Sequence, residues 1–104
     1  MNIEEVKTQT IVITGAPALD PITVVFRDCG RSRGGIIVEC YGRAWSAFWG
    51  AMGDMNIRGF LAACDAGYIS TKLGSGAGRQ TKAETEYLMR ISEAVRFACL
   101  PNAH

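Results

Sequence analysis

Apolar positions along the chain change their period partway through. Thr8–Thr14 reads TQTIVIT, rich in β-branched residues, and predicts a first strand that Gly15-Ala16-Pro17 ends. Ala18-Leu19-Asp20-Pro21 is a connector, since the residue before a proline is biased away from helix. Ile22–Phe26 (ITVVF) predicts a second strand and Ile36–Cys40 (IIVEC) a third. Cys29-Gly30-Arg31-Ser32-Arg33-Gly34-Gly35 forms the loop between them, with glycines able to take positive φ. The run Ile36-Ile37-Val38 predicts a central, well-covered strand, and the short connections predict an antiparallel meander.

After Gly42 the spacing turns helical. Trp45, Phe48 and Trp49 stand at i, i+3 and i+4, which predicts a short helix with one aromatic face, ended by Gly50 and Gly53. Asp54 or Asn56 caps a second helix through Ile57, Phe60 and Leu61 to about Cys64, and Asp65 a further turn from Tyr68 to Leu73. The stretch 74–80, centred on Gly74-Ser75-Gly76-Ala77-Gly78, reads as a flexible connection. Thr81-x-x-Glu84 is a capping box. Behind it Tyr87, Leu88, Ile91, Ala94, Val95 and Ala98 keep helical spacing, with Pro101 just past the end. The expected order is β-β-β-α-α-α. This is an α+β fold with a three-stranded antiparallel meander and three to four helices on one face of the sheet, hinged at Tyr41–Gly53.

A chain of 104 residues has room for one core, and the expectation is a single domain over 1–104. With 48% hydrophobic and 20% charged residues, composition argues against intrinsic disorder. Eleven Lys/Arg against ten Asp/Glu give a net charge of +1, so nucleic-acid binding would have to rest on a local patch. The N-terminal residues lack the basic and apolar regions of a signal peptide, and no apolar run approaches the ~20 residues of a membrane span. A cytoplasmic protein is expected. Cys29, Cys40, Cys64 and Cys99 are widely and irregularly spaced, and His104, the one histidine, sits at the C-terminal end, so no zinc site is predicted. Reduced thiols acting as small hydrophobes are the simpler reading.

Two clusters stand out. Tyr41, Trp45, Phe48 and Trp49 concentrate aromatic area, either as core against the sheet or as an anchor for a partner protein, since interface hot spots favour Trp and Tyr. Arg27, Arg31 and Arg33, with Arg43 toward the other end of the hairpin, form either a solvated tip or a contact for phosphate or an acidic surface. Gly74–Gly78 followed by Arg79 mimics a phosphate nest but lacks the preceding strand of a nucleotide-binding unit. Asp20, Asp28, Glu39, Asp54 and Asp65 have no paired spacing, and no base accompanies a Ser or Cys nucleophile. Neither an enzyme nor a cofactor is expected.

The core Cys40, Tyr41, Gly42, Trp45, Ala47, Phe48, Trp49, Gly50, Met52 and Gly53, between the strands and a segment ending at Lys72-Leu73, resembles a group of small proteins encoded by tailed phages and prophages of Gram-negative bacteria. The resemblance spans roughly Thr8 to Leu73. It implies no catalytic residue or cofactor. It does imply an accessory protein that binds a host or phage protein complex, for example an inhibitor of a bacterial defence complex such as CRISPR–Cas, in the host cytoplasm. The alternative is a nucleic-acid-binding accessory protein of phage recombination or regulation, with the arginines contacting phosphate and the aromatics stacking on bases. A homodimer would cover whatever part of the aromatic face the strands leave open.

Overall fold

Four strands, not three, build the sheet in the computed structural model, which describes residues 1–101. His104 lies outside the described residues. The strands are β1 (Gln9–Ile13), β2 (Ile22–Asp28), β3 (Gly34–Cys40) and β4 (Arg43–Trp49), paired antiparallel in the order β1-β2-β3-β4. Three helices follow: α1 (Ile57–Ala63), α2 (Ala66–Gly74) and α3 (Lys82–Cys99).

The segment expected to be an aromatic helix is β4. Its sequence fits both periods, because Trp45, Ala47 and Trp49 alternate as well as Trp45, Phe48 and Trp49 recur. A helix of seven residues is marginal by itself, whereas a strand gains a full ladder against β3. The turn before it decides the geometry. Tyr41 and Gly42 both have positive φ (49° and 76°), the signature of a two-residue hairpin loop whose twist matches the flanking strands.

The inner face carries Ile22, Val24, Phe26, Ile36, Val38, Cys40, Trp45 and Trp49, all buried. Against it pack Ile57 and Leu61 of α1, Ile69 and Leu73 of α2, and Leu88, Ile91 and Val95 of α3. Complete burial of an Ile or Leu side chain contributes about 1.5–3 kcal/mol, so this layer is the main source of stability. Each helix begins on a local cap. Asn56 accepts from the Gly59 N–H at 2.7 Å, Asp65 from the Tyr68 N–H at 2.7 Å, and Thr81 with Glu84 completes the capping box. The hydrogen bonds from Thr81, aided by Arg43, hold the Glu84 carboxyl below its usual range.

The connection between α2 and α3 covers residues 75–81. The helix runs through Gly74, the Ser75 hydroxyl donates to the Lys72 carbonyl, and the Ala77 N–H donates to the Gly74 carbonyl at 3.1 Å. All four cysteines are free. No helix among the described residues is long and apolar enough to cross a membrane.

Candidate functional site

Among the described residues, helices cover only one side of the sheet, and the alternation of side chains divides the aromatic segment between its two faces. Trp45 and Trp49, at 6% and 5% exposure, belong to the core. Trp45 packs on Tyr87 with ring centroids 6.0 Å apart, and Trp49 on Phe60 at 5.5 Å. Phe48 points the other way and is 53% exposed. Tyr41 is exposed at the tip of the β3–β4 turn, at the opposite end of β4 from Phe48. The structure therefore separates the four aromatics into two core rings and two surface rings that do not adjoin.

The arginines separate as well. Arg27 lies at the end of β2, and Arg31 and Arg33 in the loop that follows; all three are exposed. Arg43 starts β4 at the far end of the ladder, roughly 20 Å away along a seven-residue strand. It stacks on Trp45 at 5.0 Å and pairs with Glu84 at 3.4 Å, so it is a link between sheet and α3. The loop from Cys29 to Arg33 is held in place by its neighbours. The Met52 N–H donates to the Ser32 carbonyl at 2.8 Å, the Ser32 hydroxyl donates to the Gly53 carbonyl, and Arg31 pairs with Asp54 at 3.2 Å. Asp28 accepts from the Ile57 N–H at 2.8 Å and thereby helps open α1. Much of this loop's polarity is spent locking the β2–β3 turn to the segment between β4 and α1.

What remains open is the outer face of the sheet. The register sets Val12 beside Thr23, Glu39 and Ala44, then Thr10 beside Val25, Ile37 and Ser46, then Arg27 beside Gly35 and Phe48. Val12, Val25, Ile37 and Phe48 form an apolar diagonal from one edge of the sheet to the other. Val12 is 59% exposed and Ile37 37%. Gly35 has no side chain yet is buried, so the groups around it close over its backbone. The expectation of a central, well-covered strand at Ile36-Ile37-Val38 holds for its position but not for both of its faces: β3 is central and covered on one face, and no described element packs over the other.

At the β4 edge the outer face runs into a groove of about 400 Å³ lined by Arg27, Ile37, Ser46, Phe48, Lys72 and Ser75. A smaller hollow of about 140 Å³ continues it past Ala44, Ser46, Leu73 and Gly76. Sequence reasoning missed Val12, Val25, Ile37, Ser46 and Lys72. The period-2 pattern of β2 and β3 was the available signal, but it becomes informative only once it is known which set of alternating side chains the helices cover.

Among the described residues no group of three or more His, Cys, Asp or Glu side chains is placed to hold a metal ion. Tyr87 and Cys40 form a polar contact at the edge of the core, with the Tyr87 hydroxyl donating to Cys40 Sγ at 3.1 Å. That bond, with burial, pushes the Tyr87 hydroxyl up to about 12. Burial pushes the Cys99 thiol up to about 11 and also raises Cys64. These shifts stabilise the neutral forms, the reverse of what an activated nucleophile requires.

Comparison with known proteins gives one family. The Phage_phiTE_072 model, a phage family, matches residues 1–99. No curated protein and no solved structure matches the chain.

Proposed function

We propose, from the premise that this chain belongs to a phage protein family, that it is a phage-encoded accessory protein acting by binding a host or phage protein complex. The observation that carries the reading is Phe48: a large ring half in solvent, aligned with Ile37 and Val25 on a sheet face that no described helix covers. Exposed apolar surface on a small domain is a feature of interaction sites, and aromatic residues dominate their energetics. A bacterial defence complex such as CRISPR–Cas is the partner class this reading favours, with this protein as its inhibitor, because an open sheet face occludes a surface by contact alone.

The test is affinity capture of tagged protein from host lysate, followed by DNA cleavage assays on reconstituted CRISPR–Cas complexes. Wild type retains a defined complex and Phe48→Ala loses it; inhibition of cleavage assigns the defence role. Capture of no complex that depends on Phe48 rejects the reading. Light scattering of the purified protein shows whether a second copy takes the open face instead.

A second reading draws on Arg27 and Arg33, exposed and without an ion-pair partner among the described residues. They would contact phosphate while Phe48 stacks on a base. Binding to single- or double-stranded DNA or RNA at ~50 mM salt, falling steeply as salt rises, supports it; no binding at that salt removes it.

A further inference from the structure

The outer edge of β4 combines three features: unpaired backbone, a walled groove and one sign of charge. A two-residue hairpin closes on the Cys40–Arg43 pair. The alternation of an antiparallel ladder then turns the backbone groups of Arg43, Trp45, Ala47 and Trp49 toward β3, and those of Ala44, Ser46 and Phe48 outward. No described residue hydrogen-bonds these outward groups. Natural proteins blunt such edges with charge, proline or a covering loop. β4 has no proline, and its one charged residue, Arg43, stands at its end, engaged with Glu84.

Beside this edge lie the last turn of α2 and the residues after it. Lys72, Leu73, Ser75 and Gly76 form one wall of the groove, and Ala44, Ser46 and Phe48 the other. A strand edge with a helix alongside is the arrangement by which a sheet accepts an extended peptide, with main-chain bonds giving affinity and the groove giving side-chain selectivity. The charged residues lining it are Arg27 and Lys72, with no carboxylate among the lining. Lys72 is anchored over the Trp49 ring at 5.7 Å, so the cation is held at the groove rather than free in solvent. A second copy pairing edge to edge would bring RAWSAFW, which has no acid to meet these cations.

We propose that the β4 edge is a strand-addition site that takes an extended, acidic segment of a partner protein as a fifth strand of the sheet. This rests on the protein-binding reading above and names the site and the partner chemistry.

The probe is a displayed random-peptide library selected on the immobilised full-length protein, with the enriched peptide then titrated into isotope-labelled protein. Acidic, proline-poor sequences should be enriched, and the amides of Ala44, Ser46 and Phe48 should shift and gain exchange protection. Ser46→Pro removes the central outward N–H, a substitution that an edge strand tolerates, and should weaken the peptide by roughly three- to tenfold. Lys72→Glu changes only a side chain and should weaken it by at least roughly two- to fivefold. Enrichment of basic or uncharged peptides, perturbation confined to other surfaces, or protection of these amides by self-association without peptide would overturn the proposal. Capture of a protein complex that depends on Phe48 but is indifferent to Ser46→Pro and Lys72→Glu would also overturn it, while leaving the protein-binding reading intact. Failure of the wild-type protein to capture any complex would remove both.

Discussion

The indole N–H of Trp49 donates to the Tyr68 hydroxyl at 2.9 Å, joining the last residue of β4 to the first turn of α2. This bond explains why a tryptophan beside an open edge belongs to the core: its polar atom is satisfied within the fold. Tyr68→Phe removes the acceptor and leaves a buried donor. The expected loss is about 1–2 kcal/mol, read from urea unfolding as a lower midpoint at unchanged slope.

Phe48 and Trp45 occupy the same strand and face opposite ways, so truncating each should separate stability from binding. Trp45→Ala empties a core position and should cost about 3–5 kcal/mol. Phe48→Ala should change stability by no more than about 0.5 kcal/mol while abolishing partner capture. Equal destabilisation by both would mean that Phe48 is part of the core.

Gly35 is required by its surroundings. A Cβ there would stand 2.7 Å from the Ala47 carbonyl oxygen, a backbone atom of the adjacent strand that cannot swing aside. Gly35→Ala should destabilise by about 1–3 kcal/mol through displacement of β4 from β3. Gly76→Ala, where a Cβ meets nothing within 4 Å, is the control and should be neutral or slightly stabilising in thermal unfolding.

Tyr87 gives the fold an alkaline dependence. Its hydrogen bond to Cys40, then burial, raises the hydroxyl from 10.0 to about 12. Between those values the native state holds a proton that the unfolded chain has released, so stability falls as pH rises. The contribution is present in full below 10 and is lost as pH climbs through about 12. Tyrosinate absorbance should show the Tyr87 hydroxyl titrating late, moving back toward the ordinary range in Cys40→Ala. A titration unchanged by that substitution would exclude the thiol as the cause.

The cysteines should differ in reactivity. Cys40 and Cys99 are buried, and desolvation disfavours the Cys99 thiolate, whereas Cys29 is partly exposed. Alkylation followed by peptide mapping at neutral pH should modify Cys29 first and Cys99 only after unfolding. Early modification of Cys99 would show that the end of α3 opens locally.

Local signals were legible in the chain. Thr81 and Glu84 stand three residues apart and satisfy each other's backbone donors, so the start of α3 needed no tertiary information. The caps at Asn56 and Asp65 are of the same kind. β4 was not legible, since RAWSAFW satisfies a helical and an alternating pattern equally, and the choice lies with β3, whose free edge supplies its ladder. The candidate site divided similarly. Tyr41 and Phe48 are on the surface, Trp45 and Trp49 are not, and Lys72 reaches the groove only because α2 packs beside β4.

By itself, then, the sequence determined the first three strands, the three capped helices and the α+β class, because these follow from β-branched runs, side-chain caps and helical spacing within a few residues. Tertiary structure alone decided that the aromatic segment is a fourth strand and which alternating set of strand side chains the helices cover. That second choice puts Trp45 and Trp49 inside and leaves Val12, Ile37 and Phe48 in water. Side chains alternate along a strand whatever its surroundings, and only the position of the covering layer determines which half is buried.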